Sequence, residues 1–524
     1  MKKMNLLAMS LVSAAALSFS SCSSNDDLGG GAGTQSQVDG FYMTLAIQTP
    51  TSNGTTRTVA GDDGTQSAST EEHTVNKGTF FLVDQNGHIA FSRPVDSSSK
   101  NEDETWNGAT EKQNGTKLIN IKVDKVVAGT TYKVYFLAGD QTIPAEVNPA
   151  AHTFTATETA GKFAEPFATA NNFAMFNQND KNVNGNGYTV VFTKDNKDKS
   201  NPATVTYKKD KDTEAVPNAT IKIERITARI DAPTGTASTI VAYDGTKKLT
   251  QAVQDAMADA KAKVKSITLN KYAIANLTNK TNVMQQWNAT SWDLIIPTDA
   301  TPVWQITNDF GKDKLYADGG FKTVTEAPNN YVLENNSTTA PTKMYFEYKV
   351  TLDDTKFKNK AGEVMPADYT GTDPYAGTFY RYNNIIFTSF AQIFNHYADV
   401  TDIFGKDVDA AAMKANLDKI FAMEEGEAKE KALESFRNNY DIEVFVKGMT
   451  YYQKEIVDKN ILAAGKSLIQ RNTIYKVNVD KIFNIGVQVP NGEDEIEKKS
   501  LFYLSVTVSV NPWVLNTQNV ELGD

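Results

Sequence analysis

The stretch Val38-Asp39-Gly40-Phe41-Tyr42-Met43-Thr44-Leu45-Ala46-Ile47 alternates large apolar residues with smaller or more polar ones. Phe41, Met43, Leu45 and Ile47 fall at every second position, the period of a β-strand with one face on a core. Tyr42, Thr44 and Ala46 take the opposite face. The next segment, 48–72, is unusually polar. It holds Pro50, Asn53-Gly54 and Gly61-Asp62-Asp63-Gly64, and Arg57 is its only basic residue. Loops this long without structure of their own tend to be functional or disordered. A second strong strand follows at 79–83, and Asn86-Gly87 after it is a hairpin signal, because both residues tolerate positive φ.

Outward from there the same pattern recurs. Strands are expected at 117–124, 131–137 and 188–193, with a longer one across 219–231. Short strands punctuated by turns predict β-sandwiches. A polar stretch around 232–249, with Pro233 and two glycines, marks the expected boundary between an N-terminal sandwich, 58–235, and a C-terminal one, 236–524. In the second half, Val253, Met257, Ala260 and Val264 keep helical spacing over 250–264. Met413, Leu417, Ile420, Leu433, Phe436 and Tyr440 do so over 406–440, where Gly426 divides two predicted helices. Strands return at 344–352, 441–447, 473–480 and 501–510. The expected fold class is mostly β: two sandwiches, the C-terminal one carrying short helical inserts.

The N-terminus has a separate logic. Lys2 and Lys3 precede a short apolar core, Leu6 to Phe19, and Cys22 is the only cysteine in 524 residues. A core that short reads as a secretion signal, since a membrane span needs roughly 20 apolar residues. Placing the lone thiol just after Ser20-Ser21 predicts a lipoprotein precursor with signal peptide 1–21, lipidated on Cys22. An ordinary signal cut nearby, with an incidental thiol, is the alternative. Asp26 and Asp27 past the anchor resemble the export signal of lipoproteins displayed on the outer membrane. They also begin a tether continued by Gly29 to Gly33.

Chemistry-bearing patterns are sparse. The net charge of −10 argues against nucleic acid and against an anionic membrane surface as partner of the protein body. His73, His88, His152 and His396 lack ligand-like neighbours, and one cysteine excludes a thiolate zinc site within the chain. Asp195-Asn196-Lys197-Asp198 has Lys at the third position of a calcium loop and no glycine at the sixth, so a solvated turn is the better reading. Gly185-Asn186-Gly187 precedes a strand, not a helix, and reads as a turn. Glu71-Glu72 and Glu424-Glu425 read as solvated faces. No nucleophile–base pattern emerges, so no enzyme, cofactor or metal is expected.

Several phrases, in order, resemble the fimbrillins, the type V pilin family of lipoprotein-precursor subunits. They are Gly78-Thr79-Phe80-Phe81-Leu82-Val83-Asp84, Phe173-Ala174-Met175-Phe176-Asn177 and Ile223-Glu224-Arg225-Ile226-Thr227-Ala228-Arg229-Ile230. Further along come Tyr331-Val332-Leu333-Glu334-Asn335, Phe379-Tyr380-Arg381-Tyr382-Asn383, Arg471-Asn472-Thr473-Ile474-Tyr475-Lys476-Val477, and Asn511-Pro512-Trp513 leading to Val520-Glu521-Leu522. Length and C-terminal ending resemble the minor-fimbrillin branch of stalk subunits. The resemblance implies two transthyretin-like sandwiches, proteolysis at an arginine, and assembly into a surface fibre with other copies and related pilins.

Carried onto this sequence, the resemblance predicts cleavage between Arg57 and Thr58 by an arginine-specific protease. Residues 22–57 would then be a propeptide, anchored in the outer membrane by the Cys22 lipid and carrying a removable strand with Phe41, Met43, Leu45 and Ile47. The vacated groove would be filled by a donor strand from the C-terminal tail, about 506–524, where Trp513, Leu515, Val520 and Leu522 are the apolar knobs. Pro512, without an N–H, is expected to break the ladder and re-aim the tail. Two plainer readings stand beside these: Arg57 as an ordinary loop arginine, and 513–524 as the last strand of the C-terminal sandwich, with Trp513 in its core. At the level of function, the alternatives are a tip adhesin of the same fimbria and a monomeric surface glycan-binding lipoprotein. The second would need an exposed aromatic platform, and Trp106, Trp287, Trp292, Trp304 and Trp513 do not cluster in the sequence. Host or bacterial surface ligands are possible partners of any of these.

Overall fold

In the computed structural model, Phe41–Gln48 is a strand whose residues alternate between buried and half-exposed along its whole length. The structure describes residues 40–49, 66–99, 104–106, 116–156, 165–179, 186–209, 214–235, 237–246, 248–288, 293–303, 320–400, 403–404, 408–458, 468–488 and 504–515. The chain separates into units 1–37 and 38–524, and every described residue lies in the second.

The 41–48 strand is central in its sheet. One edge runs antiparallel to Thr116–Val123, from Phe41 opposite Val123 to Gln48 opposite Thr116. The other edge lies parallel to Ala203–Thr204 and then to Thr220–Arg225. The 220–225 strand changes partner midway: Thr220–Lys222 flank 41–48, whereas Ile223–Arg225 flank Met175–Asn177. Through it the sheet folds into a second leaf containing 175–177, Thr131–Ala138, Lys77–Val83 and Ile89–Asp96. Phe41, Met43, Leu45 and Ile47 from the first leaf share a buried cluster with Phe80, Leu82, Val134 and Phe136 from the second. This is the N-terminal sandwich. Its 77–83/89–96 hairpin turns where predicted: the Asp84 carboxylate accepts the N–H groups of Asn86 and His88, and Gly87 takes φ +86°.

The sequence reads 219–231 as one strand, and the structure divides it. After Arg225 the chain leaves the first sandwich through Ile226–Thr227 and re-enters a sheet as Ala228–Asp231. Alternation could not reveal the break, because every residue from Glu224 to Ile230 is buried. The second sheet runs in the order Asn329–Val332, 228–231, Thr473–Ile482, Leu504–Leu515, Gln66–Ala68. Facing it is a three-stranded sheet of Val264–Ala275, Lys343–Leu352 and Met449–Glu455. Ile230, Tyr475, Val477 and Val479 join Phe346, Tyr348, Val350 and Tyr452 in the core between them. The same cluster includes Phe81, Tyr135, Leu137 and Phe176 of the N-terminal sandwich, so one apolar junction links the two.

The helices follow the predicted spacing. Gln251–Lys263 is capped by the Thr250 hydroxyl and runs straight into the 264–275 strand, which the sequence reading lacked. Ala410–Phe421 and Glu427–Tyr440 are separated at Gly426, whose φ of +146° suits glycine. Together with the unpredicted helix Phe390–His396, they form a separate cluster around Phe390, Met413, Leu417 and Phe436. No described helix is long and apolar enough to cross a membrane.

Candidate functional site

The predicted removable strand fills a slot that no other described segment covers. Phe41, Met43 and Leu45 are wholly buried and Ile47 is 1% exposed. The Phe41 ring lies 5.4 Å from that of Phe192, and the Thr44 hydroxyl donates to Asn120 Oδ1 at 2.6 Å. Burying four such side chains is worth roughly 6–12 kcal/mol before ordering costs. Taking the strand away would leave unpaired backbone on both 116–123 and 220–225, around an apolar trough. A slot of that kind accepts an added strand readily.

The C-terminal strand is held differently. Leu504–Leu515 pairs antiparallel with 473–482, from Ile482 opposite Leu504 to Thr473 opposite Pro512. Pro512 does not end the strand. It marks a change of partner: beyond it, Trp513–Leu515 run parallel to Gln66–Ala68. From 504 to 512 the outer edge has no strand partner among the described residues, and an edge position tolerates proline's missing N–H. Of the predicted donor residues, Trp513 and Leu515 therefore lie on a strand in their own chain's sheet. Val520 and Leu522 fall outside the described residues, as do Cys22, Arg57 and Thr58.

Between the two strands lies a buried polar hub that the sequence reading missed. Ser69 caps the short helix Thr70–His73 in a reciprocal box, its N–H donating to Glu72 Oε2 at 2.8 Å. Glu72 is only 3% exposed, which corrects the expectation that Glu71-Glu72 is a solvated face: Glu71 is exposed and Glu72 turns inward. Its Oε1 accepts from Arg229 Nη1 at 2.7 Å and from the Tyr331 hydroxyl at 3.1 Å. Arg225, wholly buried, donates from Nε to the Glu72 carbonyl at 2.9 Å and from Nη1 to Asn472 Oδ1 at 2.9 Å. Burial alone would push the Glu72 carboxyl up. The Ser69 N–H and the Arg229 guanidinium outweigh it and hold the carboxyl below its ordinary value. Burial also lowers the Arg225 guanidinium to about 9, with the Glu72 charge opposing, so Arg225 stays cationic at neutral pH. The signal was present in the sequence: Ser69-Thr70-Glu71-Glu72 has capping-box spacing.

Other charged residues in the phrases that carry the family resemblance, Glu334, Arg381 and Arg471, also pair inside the fold. Glu334 and Arg471 form an ion pair at 2.7 Å with both side chains 1% exposed, and Arg471 also reaches the Val283 carbonyl at 2.8 Å. Arg381 pairs with Glu443 and donates to the carbonyls of Ile485 and Gly486. These buried pairs tie segments far apart in the chain. No group of metal-holding side chains occurs among the described residues. The Asp195-Asn196-Lys197-Asp198 segment is a capped turn, with Asn196 Oδ1 accepting from the Thr193 N–H. Asn186, before strand Tyr188–Val191, is spent on the Val134 carbonyl and the Tyr188 N–H.

Residues 443–519 match the family model of the major fimbrial subunit protein type IV, fimbrillin, C-terminal region, so this part of the chain is similar to that region of the fimbrillins. The matched span contains both the 473–482 strand and the 504–515 strand. No curated protein matches the chain. Among solved structures, a candidate cell-adhesion protein from Parabacteroides distasonis is similar at 11% identity, over 92% of this chain and 99% of that one, with a TM-score of 0.42. A candidate cell-adhesion protein from Bacteroides eggerthii is similar at 9% identity, over 92% and 100%, with a TM-score of 0.36. The fimbrial anchor protein of Porphyromonas gingivalis is similar at 8% identity, over 59% and 78%, with a TM-score of 0.21.

Proposed function

We propose that this chain is a stalk subunit of a cell-surface fimbria, with a structural rather than an enzymatic role. In this reading it is exported as a lipoprotein on Cys22, held at the outer membrane, and cut between Arg57 and Thr58. It then polymerises when the C-terminal strand of one copy enters the groove that 41–48 of another has left. The observation that carries the reading is the position of 41–48: a central strand, fully buried on one face, followed in sequence by the polar segment that contains Arg57. A cut there turns an intramolecular strand into a separate peptide and removes an effective concentration of the order of mM or more. Residues 1–57 carry Lys2, Lys3 and Arg57 against Asp26, Asp27 and Asp39, so their loss leaves the net charge at −10. The trigger is therefore steric, and a joint made of apolar burial and strand pairing tolerates high salt.

Digestion with an arginine-specific protease followed by gel electrophoresis tests this. Ladders of multimers are expected from wild type, but not from Arg57→Ala or from a chain lacking 513–524. Long fibres from either variant would overturn the reading. Cys22→Ala should leave unprocessed or mislocalised precursor, and normal lipid labelling and surface display of that variant would remove the lipoprotein step.

A further inference from the structure

The C-terminal strand outruns its main partner. Strand 473–482 begins opposite Pro512, so Trp513–Leu515 project beyond it. Among the described residues, their one strand partner is Gln66–Ala68, with Gln66 beside Trp513, Ser67 beside Val514 and Ala68 beside Leu515. Three short pairs at the end of a strand open more readily than the long ladder behind them. Gln66–Ala68 is in turn anchored from behind. Ala68 is 7% exposed and lies with Val75 in the N-terminal core. The Ser69–Glu72 box follows at once, and Glu72 is tied to Arg225, Arg229 and Tyr331. Arg225 also grips Asn472, the residue that leads into the tail's partner strand.

We propose that Gln66–Ala68 is a clasp that keeps the C-terminal strand seated in its own sheet, and that the state of the groove sets its strength. Ala68 belongs to the same apolar cluster as Phe41, Met43, Leu45 and Ile47. A filled groove supports the clasp from beneath, and an empty one withdraws that support. An uncut chain is then a poor donor as well as a closed acceptor. A cut chain releases its tail first and receives a tail afterwards, which gives growth a fixed order. The consequence for assembly rests on the strand-exchange reading above, whereas the clasp is a property of one folded chain.

Hydrogen exchange on the uncut monomer separates the two. Ser67→Pro removes a donor and distorts the three-residue pairing, so exchange across 504–515 should accelerate about tenfold or more, the factor carried by one or two lost hydrogen bonds. Exchange in 116–123 should stay unchanged. Equal exchange across 504–515 in wild type and variant would overturn the clasp. Should Ser67→Pro melt as a whole, Glu72→Gln loosens the anchor while leaving the 66–68 backbone intact, and the same acceleration, in smaller measure, is the required result. A second arm uses a cut chain lacking 513–524 as acceptor: uncut Ser67→Pro should cap it faster than uncut wild type. Where the cut wild-type chain does form ladders, capping at equal rates would also overturn the clasp. A cut wild-type chain that never forms ladders would sink the strand-exchange reading and leave the exchange result standing.

Discussion

The strands 41–48 and 504–515 are the candidate halves of one joint, and they are built in opposite ways. The first lies between neighbours on both edges with its apolar face sealed. Among the described residues, the second is bonded along one edge, and its far end pairs with three residues of another segment. A strand of the first kind does not leave readily by thermal fluctuation. A strand of the second kind can peel. In the proposed strand exchange, the contrast would put proteolysis on the acceptor side and reversible opening on the donor side.

The largest test of that contrast is removal of the strand itself. A chain produced without residues 1–57 should forfeit about 6–12 kcal/mol of burial. It should be recovered as multimers or aggregate, never as a monomer with the precursor's melting temperature. Next, Phe41→Ala should destabilise the precursor by about 3–5 kcal/mol in urea unfolding, the range for a large aromatic deleted from a core. Glu72→Gln should cost about 1–3 kcal/mol at neutral pH, by weakening a charge-assisted bond and leaving buried arginines less well compensated. Because the Glu72 carboxyl is held below its ordinary 4.5, its contribution is complete above that pH and is lost as pH falls through the lower folded value. Wild type and Glu72→Gln should therefore converge in acid melts; a gap that widens below pH 4.5 would refute the assignment. The smallest effect is expected on the tail, where Val508→Ala should cost about 1–2 kcal/mol. If Val508→Ala matched Phe41→Ala, the two strands would be held alike and the division of labour would fail.

What could be read in the sequence follows from how many faces each element exposes. Phe41 to Ile47 declared itself because one face is buried and the other is not, so period two survives in the residues. Asn86-Gly87 and Gly426 were readable because their backbone angles restrict which residues fit. The break at Ile226–Thr227 was hidden, since burial on all sides erases the period. The 264–275 strand was hidden because it starts at Val264, where a helix stops without a glycine or proline between. The hub at Glu72 was half visible: the capping box can be recognised locally, but its partners Arg225, Arg229 and Tyr331 come from segments more than 150 positions away. No one-dimensional reading brings such groups together.

The chain passes between the sandwiches at Ile226–Thr227, with the buried Arg225 and Arg229 on either side and a shared apolar junction around it, and also between Gln66–Ala68 and Lys77–Val83. In mechanical terms the subunit has no hinge at its waist. A filament pulled end to end would load 220–225 lengthwise at the groove, pass the tension along the covalent chain into 228–231, and hand it by shear to 473–482 and then to the tail. Ladders loaded along their length share force among many bonds at once, whereas ladders unzipped from one end break bond by bond. A fibre made of such links would stretch little and would yield first at its joints, leaving the subunits themselves intact.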